Sequence, residues 1–291
     1  MRLRQRRPRG NSGVAIVGPG RVGQALGKLL VQAGIPVRFV VARRLAAARR
    51  AVRFIRSGQP VGLADLEWAS TGAILLTTTD AALAPLAREL ARRRRDWSGK
   101  VILHTCGSLP STVLQPLRRR GAAIGSLHPF QTIPNPAVGV RNLKRCFWGI
   151  EGDAAARKVA TQWVRALGGV AFRVRASQKT LYHAAAFLIC PTIVTLMDRS
   201  ARLLRQAGVP AGIVRPMLGQ FVEETVRNFV RLGGRRALTG PVVRGDWLTI
   251  QRHLRALRRY SPDSIPLYRA LVHALLRFTG RRPPQFLARI L

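Results

Sequence analysis

Val14-Ala15-Ile16-Val17-Gly18-Pro19-Gly20-Arg21-Val22-Gly23 is the stretch on which the fold of this chain turns. An unbroken apolar segment runs into glycine, and over 21–33 apolar residues return at helical spacing until Gly34 stops them. The segment reads as strand, tight turn and helix. Within it, Gly18 to Gly23 follows the pattern Gly-x-Gly-x-x-Gly. The first glycine permits the turn, the second lets backbone approach a pyrophosphate, and the third packs the helix against the strand. The helix amino terminus adds partial positive charge. A glycine-rich turn without a ligand could share this hexapeptide, so its surroundings decide.

Those surroundings repeat the unit. Strands are expected at 37–41, 73–77, 100–103, 122–126, 147–150 and 170–174, with helices over 44–57, 82–95 and 154–167. This alternation predicts an α/β architecture: a Rossmann doubly wound, mainly parallel sheet. After Arg175 the strand signals stop, and 178–207, 211–232, 247–260 and 265–280 carry helical spacing. Three segments follow: a basic disordered tail at 1–12, a dinucleotide-binding domain at 13–175, and an all-helical domain at 176–291 for substrate binding and dimerisation. No internal repeat is present.

The chain has 291 residues, 47% of them apolar, enough to bury a substantial core. Its 50 basic residues against 12 acidic ones give a net charge of +38, and only five of the basic residues are lysines. Such a field attracts phosphorylated ligands, nucleic acid and anionic membranes. The arginines are scattered, and no RNA-binding aromatic signature, zinc-finger spacing or basic zipper accompanies them. A solvated arginine-rich surface is therefore the leading reading and nucleic-acid binding the minor one. Cys106, Cys146 and Cys190 form no Cys-x-x-Cys pair, so neither a disulfide framework nor a metal site is expected. A reducing cytoplasm fits. The apolar run at 184–197 contains Pro191 and is short for a bilayer span, so it is read as a buried helix with no membrane partner.

An NAD site usually has Asp or Glu near the end of the second strand, whereas this chain has Arg43 and Arg44 there. A guanidinium fork suits a 2′-phosphate, which favours NADP. Ligands of a parallel sheet bind beyond the carboxyl ends of its strands. Thr78 and Thr79, then Cys106 and Gly107, join the cofactor candidates on that ground, and His128 the substrate candidates. Asp80 is expected to cap the following helix, and Cys106 to line a pocket rather than attack. Lys179 and His183 lie four apart and share a helix face. Either could protonate a carbonyl oxygen, and Lys179 could hold a carboxylate. The bland alternative is an exposed lysine beside a buried histidine. In the helical half Asp246 is placed to cap a helix, leaving Arg244 as the better group for an anionic substrate; both are substrate-binding candidates.

The glycine turn, 104–108, 125–130 with its His128-Pro129, 151–153, 182–186, Gly240-Pro241 and 244–246 together resemble a group of bacterial proteins. These are Rossmann-like proteins with a helical carboxyl-terminal domain of unknown function. They are related to pyrroline-5-carboxylate reductase, deazaflavin-dependent NADP reductase and ketopantoate reductase, and their helical domain resembles that of 6-phosphogluconate dehydrogenase. The resemblance implies a dinucleotide-dependent oxidoreductase whose helical domain closes the active site and forms a homodimer. Lys179 matches the lysine of a Lys-x-x-x-Asn pair in the wider superfamily, and His183 replaces the asparagine. Cys190-Pro191 stands where relatives often read Ser-Asn, which keeps a second reading open: an NADP-binding sensor or scaffold without turnover. The leading expectation is an NADP-dependent reductase of a small anionic carbonyl or imine compound, such as ketopantoate or a cyclic imine.

Overall fold

The computed structural model describes residues 13–67 and 70–288; the basic tail expected at 1–12 lies outside them. Strand β1 (Gly13–Val17) is buried throughout, and its side chains alternate between two apolar clusters. Val14 and Ile16 join one, Ala15 and Val17 the other, as the two-residue period of a strand requires. A strand apolar on both faces belongs inside a sheet covered on both sides. It lies between β2 (Val37–Val41) and β4 (Thr71–Leu76), parallel to both. With β3 (Gln59–Val61), β5 (Val101–His104), β6 (Ala123–Pro129), β7 (Phe147–Gly152) and β8 (Val170–Arg173), the order is β3-β2-β1-β4-β5-β6-β7-β8.

Helices cover both faces, as doubly wound sheets demand. On one side α1 (Arg21–Gln32) and α2 (Leu45–Ile55) contribute Leu26, Leu30 and Ile55. On the other, α3 (Asp80–Arg93) contributes Leu83 and Leu90, and the single turn α4 (Gln115–Arg118) contributes Leu117. Helix α5 (Pro136–Asn142), capped by Asn135 through Val138 N at 2.9 Å, packs on α1. Helix α6 (Ala154–Ala166) adds Trp163 to the first cluster.

The sheet is mainly parallel, as expected, but β7 runs antiparallel to β6. The cause is local. Phe130 N bonds Phe147 O at 2.9 Å and closes the 130–147 segment into a wide hairpin. Its short helix lies on α1 instead of crossing the sheet, and a parallel return needs a crossover. Strand β8 then pairs parallel with β7. The three-residue β3, which contains Pro60, carried no strand signal in the sequence.

Contacts divide the chain into compact units at Ile189/Cys190, beyond the end of the strands where the domain boundary was expected. The first turns of α7 (Lys179–Gln206) are tied to the sheet and belong with it. The second unit continues α7 and adds α8 (Ala211–Leu232), α9 (Gly234–Ala237), α10 (Pro241–Arg244), α11 (Trp247–Tyr260), α12 (Ile265–Thr279) and α13 (Gln285–Ala288). Val242, Ile250, Leu254, Val272, Leu276 and Leu287 form its small core. Arg199 reaches Asp263 at 2.6 Å and Ser264 at 3.1 Å.

One expectation is overturned. The apolar run at 184–197 is helical, but it is not buried: Phe187 is 62% and Val194 66% exposed. Its helix, Ala176–Gln206, is apolar and long enough to cross a bilayer, and none of its most apolar stretch is covered. Apolar composition marks a face that needs covering without saying what covers it. Pro191 sits inside α7 without ending the helix.

The buried core predicts a sharp contrast. Leu30→Ala, at a site with no exposed surface, lowers the unfolding free energy by about 2–5 kcal/mol. Arg50→Ala, on the exposed side of α2, changes it by less than about 0.5 kcal/mol in the same urea titration.

Candidate functional site

Strands β1, β2, β4, β5 and β6 run in one direction, so their carboxyl ends share an edge. The chain order reverses at β1, where an open parallel sheet leaves a crevice for ligands. The glycine turn occupies that crevice. Gly18 has φ +82°, and a Cβ there would stand 2.5 Å from Thr78 Cγ2. Gly23 lies against Thr77 and Gly18 O, leaving no room for a side chain. At Gly20 the situation is opposite, since an added Cβ would meet only Gly18 O at 4.0 Å. Open space therefore lies over the Gly20 backbone. Gly20 begins α1 with no side-chain cap, so the first helical amides remain available to an anion.

A cavity of about 740 Å³ extends from this turn, lined by Gly18, Gly20, Arg43, Arg44, Thr78 and Thr79 among others. Both arginines are exposed, and no described acidic residue pairs with either. Thr78 Oγ1 is buried and has no hydrogen-bond partner, which is uncommon for a hydroxyl unless a ligand supplies one. Free amides, an orphan hydroxyl, open space over Gly20 and two guanidinium groups together fit a dinucleotide. Pro19 lines the same cavity. Arg21 points its side chain elsewhere, to Pro134 O at 3.4 Å, and contributes with Val22 through the backbone of the first helical turn.

A second cluster surrounds Gly107, after β5. Lys179 is 1% exposed and donates to Cys106 O and Ser126 Oγ, each at 2.8 Å. Burial pushes its pKa down, opposed chiefly by the negative charge of Glu151. Glu151 is itself held by Ser111 N and Ser111 Oγ, both at 2.7 Å. His128 Nδ1 meets Tyr182 OH at 2.9 Å, and its ring lies 5.8 Å from that of His183. Burial, then the Lys179 and His183 charges, bring His128 down to about 3, so its ring is neutral. His104 is fully buried, accepts from Cys106 N at 3.2 Å, and is also brought down to about 3, first by burial.

Lys179 and His183 do share a helix face, with burial the reverse of the bland alternative: the lysine is buried and the histidine half-buried. Lys179 anchors the helix through its two acceptors. Cys106 and Gly107 sit here and do not line the glycine-turn cavity. Burial raises the Cys106 thiol, which lies 3.3 Å from Ser108 Oγ and makes a poor nucleophile. Asp80 does not cap α3, whose cap position is Thr79; it accepts from Ser108 Oγ at 2.9 Å. In the second unit Asp246 caps α11 through Thr249 N at 3.1 Å, as expected, and Arg244 is exposed. Tyr182 and Ser126 were missed. Tyr182 adjoins the selected His183, but its partner is far away in sequence.

The two depressed histidines set a pH dependence. Each is neutral when folded and gains a proton near 6.5 when unfolded, so the unfolded chain binds more protons between about pH 3 and 6.5. Stability falls as pH drops through that window. His104→Asn keeps an acceptor for Cys106 N but cannot charge, so its urea midpoint falls less between pH 7 and 4.5 than that of the wild type.

No curated protein matches the sequence. Among solved structures, BF3122 of Bacteroides fragilis, provisionally named an NADP oxidoreductase, superposes with a TM-score of 0.75 at 23% identity, covering 93% of this chain and 98% of that one. TM1727 of Thermotoga maritima gives 0.69 at 19%, covering 92% and 98%. The reductive aminase of Aspergillus terreus, solved with NADPH and ethyl levulinate, gives 0.62 at 18%, covering 91% and 94%. At these identities the likeness establishes the fold. Residues 3–129 match the Rossmann-like domain family and 146–275 match a domain of unknown function, DUF2520. The chain is thus a Rossmann-like domain joined to a carboxyl-terminal domain of the DUF2520 family.

Proposed function

We propose that this protein is an NADP-dependent reductase of a small anionic carbonyl or imine compound. The observation that carries the reading is the pairing, on one sheet edge, of a phosphate-ready turn having an orphan Thr78 hydroxyl with the His128, Tyr182 and His183 cluster. The bound nicotinamide would supply hydride. The glycine turn and α1 amides hold the pyrophosphate, Arg43 and Arg44 grip the 2′-phosphate, and Gly107, without a side chain, lets the two histidine rings close over it. His183 is the group that delivers a proton, while Lys179 positions the helix. Asp246 serves as a helix cap, so Arg244 is the stronger group of that pair for a substrate carboxylate. The Bacteroides and Aspergillus proteins, named for NADP and NADPH chemistry, lend the reading support at the level of fold.

A sensor without turnover is the second reading, favoured by Lys179, which spends two of its three N–H donors on Cys106 O and Ser126 Oγ. One fluorescence titration and one assay separate the two. NADPH binds more tightly than NADH, and Arg43→Ala with Arg44→Ala weakens NADPH by about tenfold to a hundredfold while leaving NADH nearly unchanged. Oxidation of NADPH by 2-oxo acids or cyclic imines supports the reductase; normal binding with no oxidation across such a panel supports the sensor.

The exposed apolar helices fit a homodimer built through the helical unit. Phe221 is 72%, Phe229 61% and Val230 75% exposed, a density of apolar surface that monomers seldom carry. A membrane span fits less well, because Lys179, Tyr182 and His183 hold the start of the same helix to the sheet. With a cytoplasmic location, this leaves a second copy as the cover. Sedimentation equilibrium gives a dimer, and Phe221→Glu with Val230→Glu gives a folded monomer. A monomeric wild type, or flotation with liposomes, would exclude this assignment.

A further inference from the structure

We infer that Tyr182 locks His128 in its Nε2–H form, so that His128 offers a hydrogen bond beside Gly107 to an acceptor oxygen, suiting the site to carbonyl substrates over protonated imines. The inference rests on the reductase reading for its substrate and on geometry for its tautomer.

One contact fixes the proton at Tyr182: its oxygen lies 2.9 Å from His128 Nδ1. The phenolic hydroxyl has one proton to give, and His128 Nδ1 is its partner within reach among the described residues. Burial pushes the Tyr182 hydroxyl up to about 12, so this proton stays on oxygen at working pH. The ring cannot drift, because Phe130 and Phe172 lie 5.6 and 6.0 Å from it. With Nδ1 accepting, a neutral imidazole carries its hydrogen on Nε2.

That nitrogen lies against Gly107. A Cβ on Gly107 would stand 2.6 Å from His128 Nε2 and 2.5 Å from His183 Cδ2, so the two rings meet over a residue without a side chain. His128 remains neutral, brought down to about 3 first by burial and then by the Lys179 and His183 charges. A neutral imidazole donates a hydrogen bond without losing its proton, the pattern by which a histidine polarises a carbonyl in triosephosphate isomerase. A protonated imine has an N–H and no lone pair, so it offers nothing to a donor. The Lys179 ammonium also disfavours a second cation nearby and favours an anion.

The test reads the histidine nitrogens directly. In histidine-labelled wild type, long-range nitrogen NMR shows His128 with Nε2 protonated and Nδ1 bare. In Tyr182→Phe, which keeps the ring contacts, Nδ1 shifts and the two tautomers mix; near-ultraviolet circular dichroism checks the fold. With oxidised NADP bound, pyruvate moves the Nε2 resonance, protonated 1-pyrroline does not, and Tyr182→Phe weakens pyruvate about three- to tenfold. A wild-type His128 protonated on Nδ1, or an equal response to 1-pyrroline, overturns the inference. Failure of the reductase reading is seen separately, in the absence of NADPH oxidation across the substrate panel, and leaves the tautomer result intact.

Discussion

The Lys179 ammonium is the contact on which the site depends. A buried cation loses several kcal/mol of hydration, and it persists only where hydrogen bonds and opposite charge replace the water. Here two acceptors do so, Cys106 O from the segment after β5 and Ser126 Oγ from β6, with Glu151 supplying negative charge. One side chain thereby joins a helix to two neighbouring strands. Once it is seated, the helical repeat carries Tyr182 to His128 and His183 to Gly107.

On the proposed reading, this arrangement separates binding from chemistry along one edge. The crevice near β1 is made mostly of backbone: free amides, glycines and an orphan hydroxyl, all suited to phosphate. The cluster near β5 and β6 is made of side chains whose charges are depressed by burial. Depressed basic groups near a crevice are a mark of functional sites, because neutral rings there donate and accept without competing for bulk protons.

Much of this was legible in the sequence, and the limits have physical causes. Strand, turn and helix around Gly18 are set by local spacing, so the first half could be read element by element. The reversal at β7 depends on where α5 packs, a tertiary contact that no local pattern records. β3 has three residues and a proline, too little for a period. Lys179 and His183 were found through their spacing, yet which of them is buried depends on Ser126 and Cys106, far away in the chain. Tyr182 was passed over because a tyrosine on an apolar helix resembles core until its hydroxyl finds a partner. The run at 184–197 failed for the converse reason, since apolar composition says that a face wants cover and not whether its own chain provides it.

The reversed strand has one more effect. Because β7 and β8 run against β6, Arg173 ends the last strand level with Ile150 and Leu127, beside the carboxyl ends of β4 and β5, which stop at the level of Ser126. Helix α7 then begins with Lys179 reaching Ser126 and brings Tyr182 to His128 and His183 to Gly107. The first turns of α7 therefore cover the cluster around Gly107, so any shift of that helix moves Tyr182 and His183 together against His128.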